Sequence, residues 1–486
     1  MNFRHATRAV IAGILIAAGS LVSTAPAQAA SCTAATTQDF DDDGHADLVV
    51  ARTLPTSRAG VIDIRMTGGT TQTISAATLG FPSAANDQFG ASVQIATIDE
   101  SDNCPDLVIG APGTAGRGAV YLVRGTGAGV DTSAIRILSP AANARFGATV
   151  ASMWLPLTRV RVLVGAPGID VGSATDAGGV LVYSLDDGAV VGSPATLTYA
   201  DFGAAPATAD HLGAVMDVTS YHVTLGVPDR EVGSASNAGE AIGFTLVDEP
   251  GVVELGDVTR ANQNSAGAPG VAEAGDRFGA DVDFAGAHTF VGVPGEDIGS
   301  RRDAGSVARY REEGNNVSTD WVGWNQDSSG VPGANESGDR FGSAVKIGWI
   351  EVLVDGDPMS EHVYVVGAPG EDIGSVRDAG AITVLAPEVG PAFGLSQGSG
   401  LPGAAETGDL VGAALGDLPG EYTGPYYGGD GIVVGAPGEN VGSVVDRGLV
   451  MWARGLLPKG RFTWSSASNL GTPVPGGRYG WTLPSA

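Results

Sequence analysis

Phe146 to Gly168 reads FGATVASMWLPLTRVRVLVGAPG. An apolar run follows Phe-Gly, a turn interrupts it near Pro156, and a second apolar run ends in Gly-Ala-Pro. Two short apolar runs flanking a turn describe an antiparallel strand pair. The first unit recurs at Phe89-Gly90, Leu212-Gly213, Phe278-Gly279, Phe341-Gly342, Val411-Gly412 and Tyr479-Gly480. The second, Gly-(Ala/Val)-Pro, recurs at Gly110, Gly226, Gly292, Gly367 and Gly435. After each comes a loop and a further strand, such as GGVLVYSL, GSVARYR or GAITVLA. The period of about 55 to 75 residues suits four short strands and their connections. Radial repetition of four-stranded sheets makes a propeller.

Each unit has a physical task. The aromatic or aliphatic residue packs between neighbouring sheets, and the glycine lets two backbones approach where a Cβ would clash. Proline after Gly-Ala ends a strand because it has no N–H for the ladder. Asp201-Phe202-Gly203 is a decoy, since Leu212-Gly213-Ala214-Val215 keeps phase with its neighbours.

Phe-Gly followed some twenty residues later by Gly-Ala-Pro resembles the FG-GAP repeat of integrin α-chain propellers and related bacterial extracellular proteins. The likeness runs through the chain after its N-terminal segment and implies an all-β, seven-bladed propeller of four-stranded antiparallel blades. The blades centre on residues 40–70, 89–125, 146–186, 212–247, 278–311, 341–386 and 411–455, with 187–209, 248–275, 312–338 and 387–408 as connections. The first repeat has the strand Asp47-Leu48-Val49-Val50-Ala51 but no Phe-Gly strand before it. The last unit, around Tyr479, has no Gly-Ala-Pro after it. The two defects complement each other, so the C-terminal strand is expected to complete the first blade and remove the open sheet edge.

Asp39-Phe40-Asp41-Asp42-Asp43-Gly44-His45-Ala46-Asp47 is the most specific chemical motif. Carboxylates at alternate positions converge around a tight turn, Gly44 permits the bend, the His45 carbonyl adds a neutral oxygen and Asp47 closes the set. Oxygen donors in this number suit Ca²⁺. Position 12 is Val50, where an EF-hand needs glutamate, so the motif resembles instead the β-hairpin calcium loop of FG-GAP repeats. A degraded copy follows at Asp99, Ser101, Asn103 and Asp106; it keeps oxygen donors but lacks the glycine. The later repeats do not match the spacing.

A second motif continues from Gly-(Ala/Val)-Pro into Gly295-Glu296-Asp297-Ile298-Gly299-Ser300, with near copies at Gly168, Asp229, Gly370 and Gly438. Strand alternation puts these loops on the face opposite the calcium hairpin, together with the connections GAPGVAEAGD, GVPGANESGD and GLPGAAETGD. Glu296, Asp297, Glu371, Asp372 and Glu439 form a candidate ligand face there, the face that meets ligands in integrin propellers. The competing reading is that Asp and Ser cap turns and Gly supplies positive φ. Near-identity among the loops favours that structural role.

Residues 1–29 read as an export signal: Arg4 and Arg8, an apolar core from Ala9 to Val22, then Ala27-Gln28-Ala29. Residues 30–486 would then be the propeller. Of 26 basic and 54 acidic residues, two arginines fall in the signal, leaving 24 against 54 and a charge near −30. Such a chain repels nucleic acid and anionic membranes. Cys32 and Cys104, an even count in an oxidising compartment, suggest one disulfide. The expectation is a secreted monomer that binds an extracellular protein or glycan and inserts in no membrane. Beyond the export segment, five scattered histidines without metal-ligand spacing and the lack of a His-Glu-x-x-His helix argue against catalysis. A polysaccharide hydrolase or lyase using an acidic pair is the alternative.

Overall fold

A computed structural model describes residues 31–33, 38–52, 59–99, 102–156, 159–219, 221–247, 253–354, 357–388, 390–418, 431–453, 464–467 and 483. The expected export segment 1–29, Ser101 and Tyr479 lie outside them. Seven antiparallel sheets stand in a ring, an all-β seven-bladed propeller. Blade 2 shows the plan: Ser92–Ala96, Asp106–Ala111, Ala119–Gly125 and Val130–Leu138 pair in chain order from the axis outward. The second strands of blades 2, 4 and 7 are wholly buried, as in DLVIGA and HVTLGV, which explains their apolar runs. Among the described residues no helix is long and apolar enough to cross a membrane.

The outermost strands lie where the sequence suggested mere connections. Ala189–Leu197, Leu255–Ala261, Val322–Trp324 and Phe393–Gln397 each pair with the third strand of their blade. Most residues in Ala189–Leu197 and Leu255–Ala261 are half-buried or exposed and carry little apolar alternation, because an outer strand has only one neighbour to cover it.

The two repeated units meet between blades. In five successive junctions the Gly-x-Pro glycine touches the carbonyl of the next blade's Phe-Gly glycine. A Cβ built on Gly110, Gly165, Gly226, Gly292 or Gly367 would lie 2.0–2.1 Å from the oxygen of Gly147, Gly213, Gly279, Gly342 or Gly412. The residue before that glycine is fully buried at Phe146, Leu212, Phe278, Phe341 and Val411, and forms a parallel bridge to the preceding blade.

Ring closure is visible at one residue. The side chain four places after each cassette aromatic lines the central channel: Val93, Val150, Met216, Val282, Val345 and Leu415. Leu483, four places after Tyr479, lines it too and packs with Leu48 and Val50 of blade 1 and Val433 and Val450 of blade 7. Blade 1's own strands, Leu48–Arg52, Val61–Arg65 and Thr71–Ile74, lack only the inner one. Leu483 stands in that place.

Candidate functional site

The Asp39–Asp47 loop is built by its own carboxylates. Asp39 accepts from the Asp43 and Gly44 amides at 3.1 and 2.7 Å, and Asp43 Oδ1 accepts from the His45 amide at 2.9 Å. Gly44 has φ +88° and Asp42 +57°, so the chain reverses within three residues. Phe40, wholly buried among blade 1 and blade 2 side chains, anchors the turn. Carboxylate oxygens of Asp39, Asp41 and Asp43 all lie within 4.8 Å of one another, the one such group of three among the described residues. Asp41 Oδ1 is buried and accepts no hydrogen bond. Burial, then the neighbouring Asp43 and Asp39 charges, hold its carboxyl above the ordinary range. Three converging anions with an orphaned oxygen are a donor set compatible with a hard cation.

Asp47 is placed differently from these three. Its Oδ2 accepts from the Phe40 amide at 2.8 Å and its Oδ1 from the Thr67 amide at 2.9 Å, clamping the loop to the second strand hairpin. Burial pushes its carboxyl up to about 6. Asp106 repeats the clamp in blade 2, accepting from Ile98 at 2.7 Å and Gly125 at 2.9 Å, and burial pushes it up to about 7.

The second loop keeps the turn of the first without its glycine. Asn103 adopts φ +57° in the place of Gly44, a conformation asparagine tolerates, and Asp102 accepts from the Cys104 amide at 3.0 Å as Asp43 does from His45. Here the protein brings its own cation. Arg124 Nε lies 3.0 Å from Asp99 Oδ2, and its Nη2 donates to the Asp187 carbonyl of blade 3 at 2.7 Å.

Cys32 and Cys104 are joined, with Cα atoms 5.0 Å apart. The bridge seats the N-terminal segment between the two loops: the Cys32 amide donates to the Asp102 carbonyl at 2.7 Å and the Thr33 amide to Asp42 Oδ1 at 2.8 Å. Closing a 72-residue loop stabilises by about 4 kcal/mol in the chain-entropy account.

On the opposite face the Gly-x-Pro loops and the inter-blade connections lie together, as expected: the Gly295, Gly370 and Gly438 amides donate to the Asp276, Asp339 and Asp409 carbonyls at 3.1 Å. Asp297 and Asp372 each accept from the amide six residues on at 2.9 Å, so these two aspartates hold their loops. Glu296, Glu371 and Glu439 point elsewhere, each accepting from a glutamine of the preceding connection.

The central channel was not anticipated from the sequence. A cavity of about 480 Å³ opens along the inner strands. At its blade 4–7 side, Lys346, one of two lysines in the chain, reaches Asp417 at 2.8 Å and Asp283 at 3.6 Å. Burial pushes Asp283 up to about 8 and Asp281 to about 7, outweighing the pull of Lys346. The available signal was position: Asp217, Asp283 and Lys346 are each five residues beyond the cassette aromatic, where an apolar strand should carry no charge.

No protein-family model matches the chain, and no curated protein matches it. Among solved structures, one from Bacteroides uniformis provisionally described as a 6-phosphogluconolactonase is similar over 88% of this chain and 98% of its own, with 10% identity and a TM-score of 0.46.

Proposed function

We propose that the chain is a secreted, calcium-stabilised recognition propeller of the FG-GAP, integrin-α-like kind, which binds an extracellular protein or glycan and catalyses nothing. The observation that carries this reading is the convergence of Asp39, Asp41 and Asp43 around an orphaned Asp41 oxygen. One Ca²⁺ held there relieves the mutual repulsion of the three carboxylates and fixes the blade 1 hairpin. The second loop uses Arg124 for the same purpose. A disulfide beside the loop fits an oxidising exterior.

The test is a melting curve. Chelation by EDTA lowers the melting temperature and Ca²⁺ restores it, since a ligand of the folded state alone stabilises by about 1.4 kcal/mol at tenfold excess over Kd. Asp41→Ala or Asp43→Ala should mimic the chelator. An unchanged curve in EDTA removes calcium from this loop.

One observation favours the rival hydrolase or lyase reading: a carboxyl raised to about 8, Asp283, lies 3.6 Å from Lys346, which lines the channel cavity. A glycan and protein binding array run beside a reducing-sugar release assay separates the two. Turnover abolished by Asp283→Asn overturns the binding reading.

A further inference from the structure

Three junctions on the face opposite the calcium loop share one unusual arrangement. In blade 5, Gln263 donates its Nε2 to Glu296, while Asp276 accepts from the Glu273 amide. Gln326, Glu371 and Asp339 repeat this in blade 6, and Gln397, Glu439 and Asp409 in blade 7. The glutamines are only 3–4% exposed, and in all three the other carboxamide atom, Oε1, is buried without a hydrogen-bond partner. Asp409 Oδ1 is orphaned in the same way. Chance would not leave the same acceptor unsatisfied three times, because each such group costs about 1–3 kcal/mol.

The backbone is shaped to keep the amide there. Gly270, Gly333 and Gly403, at φ +82° to +102°, cross over the three glutamines; a Cβ at each would stand 2.6–3.2 Å from Nε2.

Blades 3 and 4 fill the equivalent positions in ways that need nothing from outside. Blade 3 has Ala144 and Ile169, both inside one apolar cluster. Blade 2 has Asp87 with Thr114, whose hydroxyl is also buried without a hydrogen-bond partner, but it has no second carboxylate there. Blade 4 has Asp210 with Arg230, an ion pair at 2.5 Å, and the guanidinium lies 4.3 Å over the Tyr199 ring. Blades 5, 6 and 7 replace that arginine by glutamate and keep the aspartate. No salt bridge joins an arginine or lysine to these six carboxylates among the described residues, although the charge of Arg301 acts on Asp339. Where blade 4 carries its cation on the chain, the other three have a buried aspartate, a half-buried glutamate and a bare amide oxygen.

We propose that each of these three cradles binds a hard divalent cation of the calcium class, held by the Glu and Asp carboxylates, the glutamine Oε1 and water. Oxygen-only donors with one or two charges suit such an ion at the modest affinity of extracellular modules, about 10⁻⁴–10⁻³ M. These ions would pin the second-to-third strand loops of blades 5–7 to the connections that precede them. The proposal does not rest on the Asp39–Asp43 loop.

The experiment counts ions. Full-length chain is dialysed to equilibrium against radioactive calcium at pH 7.5, at about 5 mM to exceed the Kd range. Wild type should bind four ions per chain if the blade 1 loop also fills, or three if it does not. Asp41→Ala removes the blade 1 ion alone. The Glu296→Gln, Glu371→Gln, Glu439→Gln triple variant should lose three. Because that variant could misfold, Glu371→Arg, patterned on blade 4, serves beside it: it supplies the missing cation and should lose one ion with its melting curve kept. A triple variant or Glu371→Arg chain binding as many ions as wild type overturns the proposal, and leaves the cradles as proton-sharing clusters.

Discussion

Arg124 offers a direct test of the idea that an acidic loop needs either an ion or an arginine. In Arg124→Gln the buried Asp99 loses a guanidinium 3.0 Å away, and the blade 3 hairpin loses the 2.7 Å bond to Asp187. Breaking a fully buried pair costs about 3–5 kcal/mol. The Arg124 side chain is 43% exposed, and screening reduces that term to roughly 1–2 kcal/mol. The lost hydrogen bond adds about 1 kcal/mol. Loop opening should therefore become easier by about 2–3 kcal/mol, which is roughly 30- to 150-fold faster exchange of amides that close with the loop. The Ile98 and Gly125 amides, both bonded to Asp106, are the reporters, read by hydrogen exchange in EDTA. Calcium should slow their exchange more in the variant than in wild type, because the emptied cluster can then take an ion. Exchange unchanged by the substitution would refute the assignment of Arg124 as the loop's counter-charge.

Two further outcomes follow from packing and burial. Gly367→Ala puts a methyl 2.0 Å from the Gly412 carbonyl and must push blades 6 and 7 apart, at about 3 kcal/mol or more, whereas Gly68→Ala, with open space and ordinary φ, should be neutral within about 0.5 kcal/mol in urea denaturation. Asp281 and Asp283 are raised to about 7 and about 8, facing Lys346, Asp217 and Asp417, so the folded chain binds more protons than the unfolded chain between about pH 4 and 8. Stability in EDTA should accordingly fall as pH rises from about 4 and level off once pH passes about 8. Asp283→Asn should flatten that fall; a urea midpoint with the same pH slope in the variant would show that Asp283 is not its source.

The repeat itself was legible because the forces that impose it are local. Phe-Gly and Gly-Ala-Pro mark where one backbone crosses another, and five junctions near 2 Å show that no side chain larger than hydrogen fits there. The Asp39–Asp43 turn was legible for the same reason: carboxylates at alternate positions ahead of Gly44 describe a local reversal of the chain. The Cys32–Cys104 pairing followed from counting alone, there being no other cysteine to choose. In the second loop Asn103 takes the left-handed conformation in the glycine's stead, which the residue type alone does not reveal. The outer strands escaped notice because solvent on one side erases their pattern.

What only the tertiary structure decided is which distant residues share a space. Asp99 and Arg124, Lys346 and Asp417, Gln326 and Glu371 are 25, 71 and 45 residues apart, and no spacing rule links them. Periodicity reports which face of a strand a residue occupies, whereas charge compensation depends on what the neighbouring blade presents across the junction. The sequence thus determined the ring and its first acidic turn. Closure of the ring then determined which carboxylates receive a cation from the chain and which are left with an unfilled oxygen, because burial makes an unpaired charge costly only once both walls of the junction are in place.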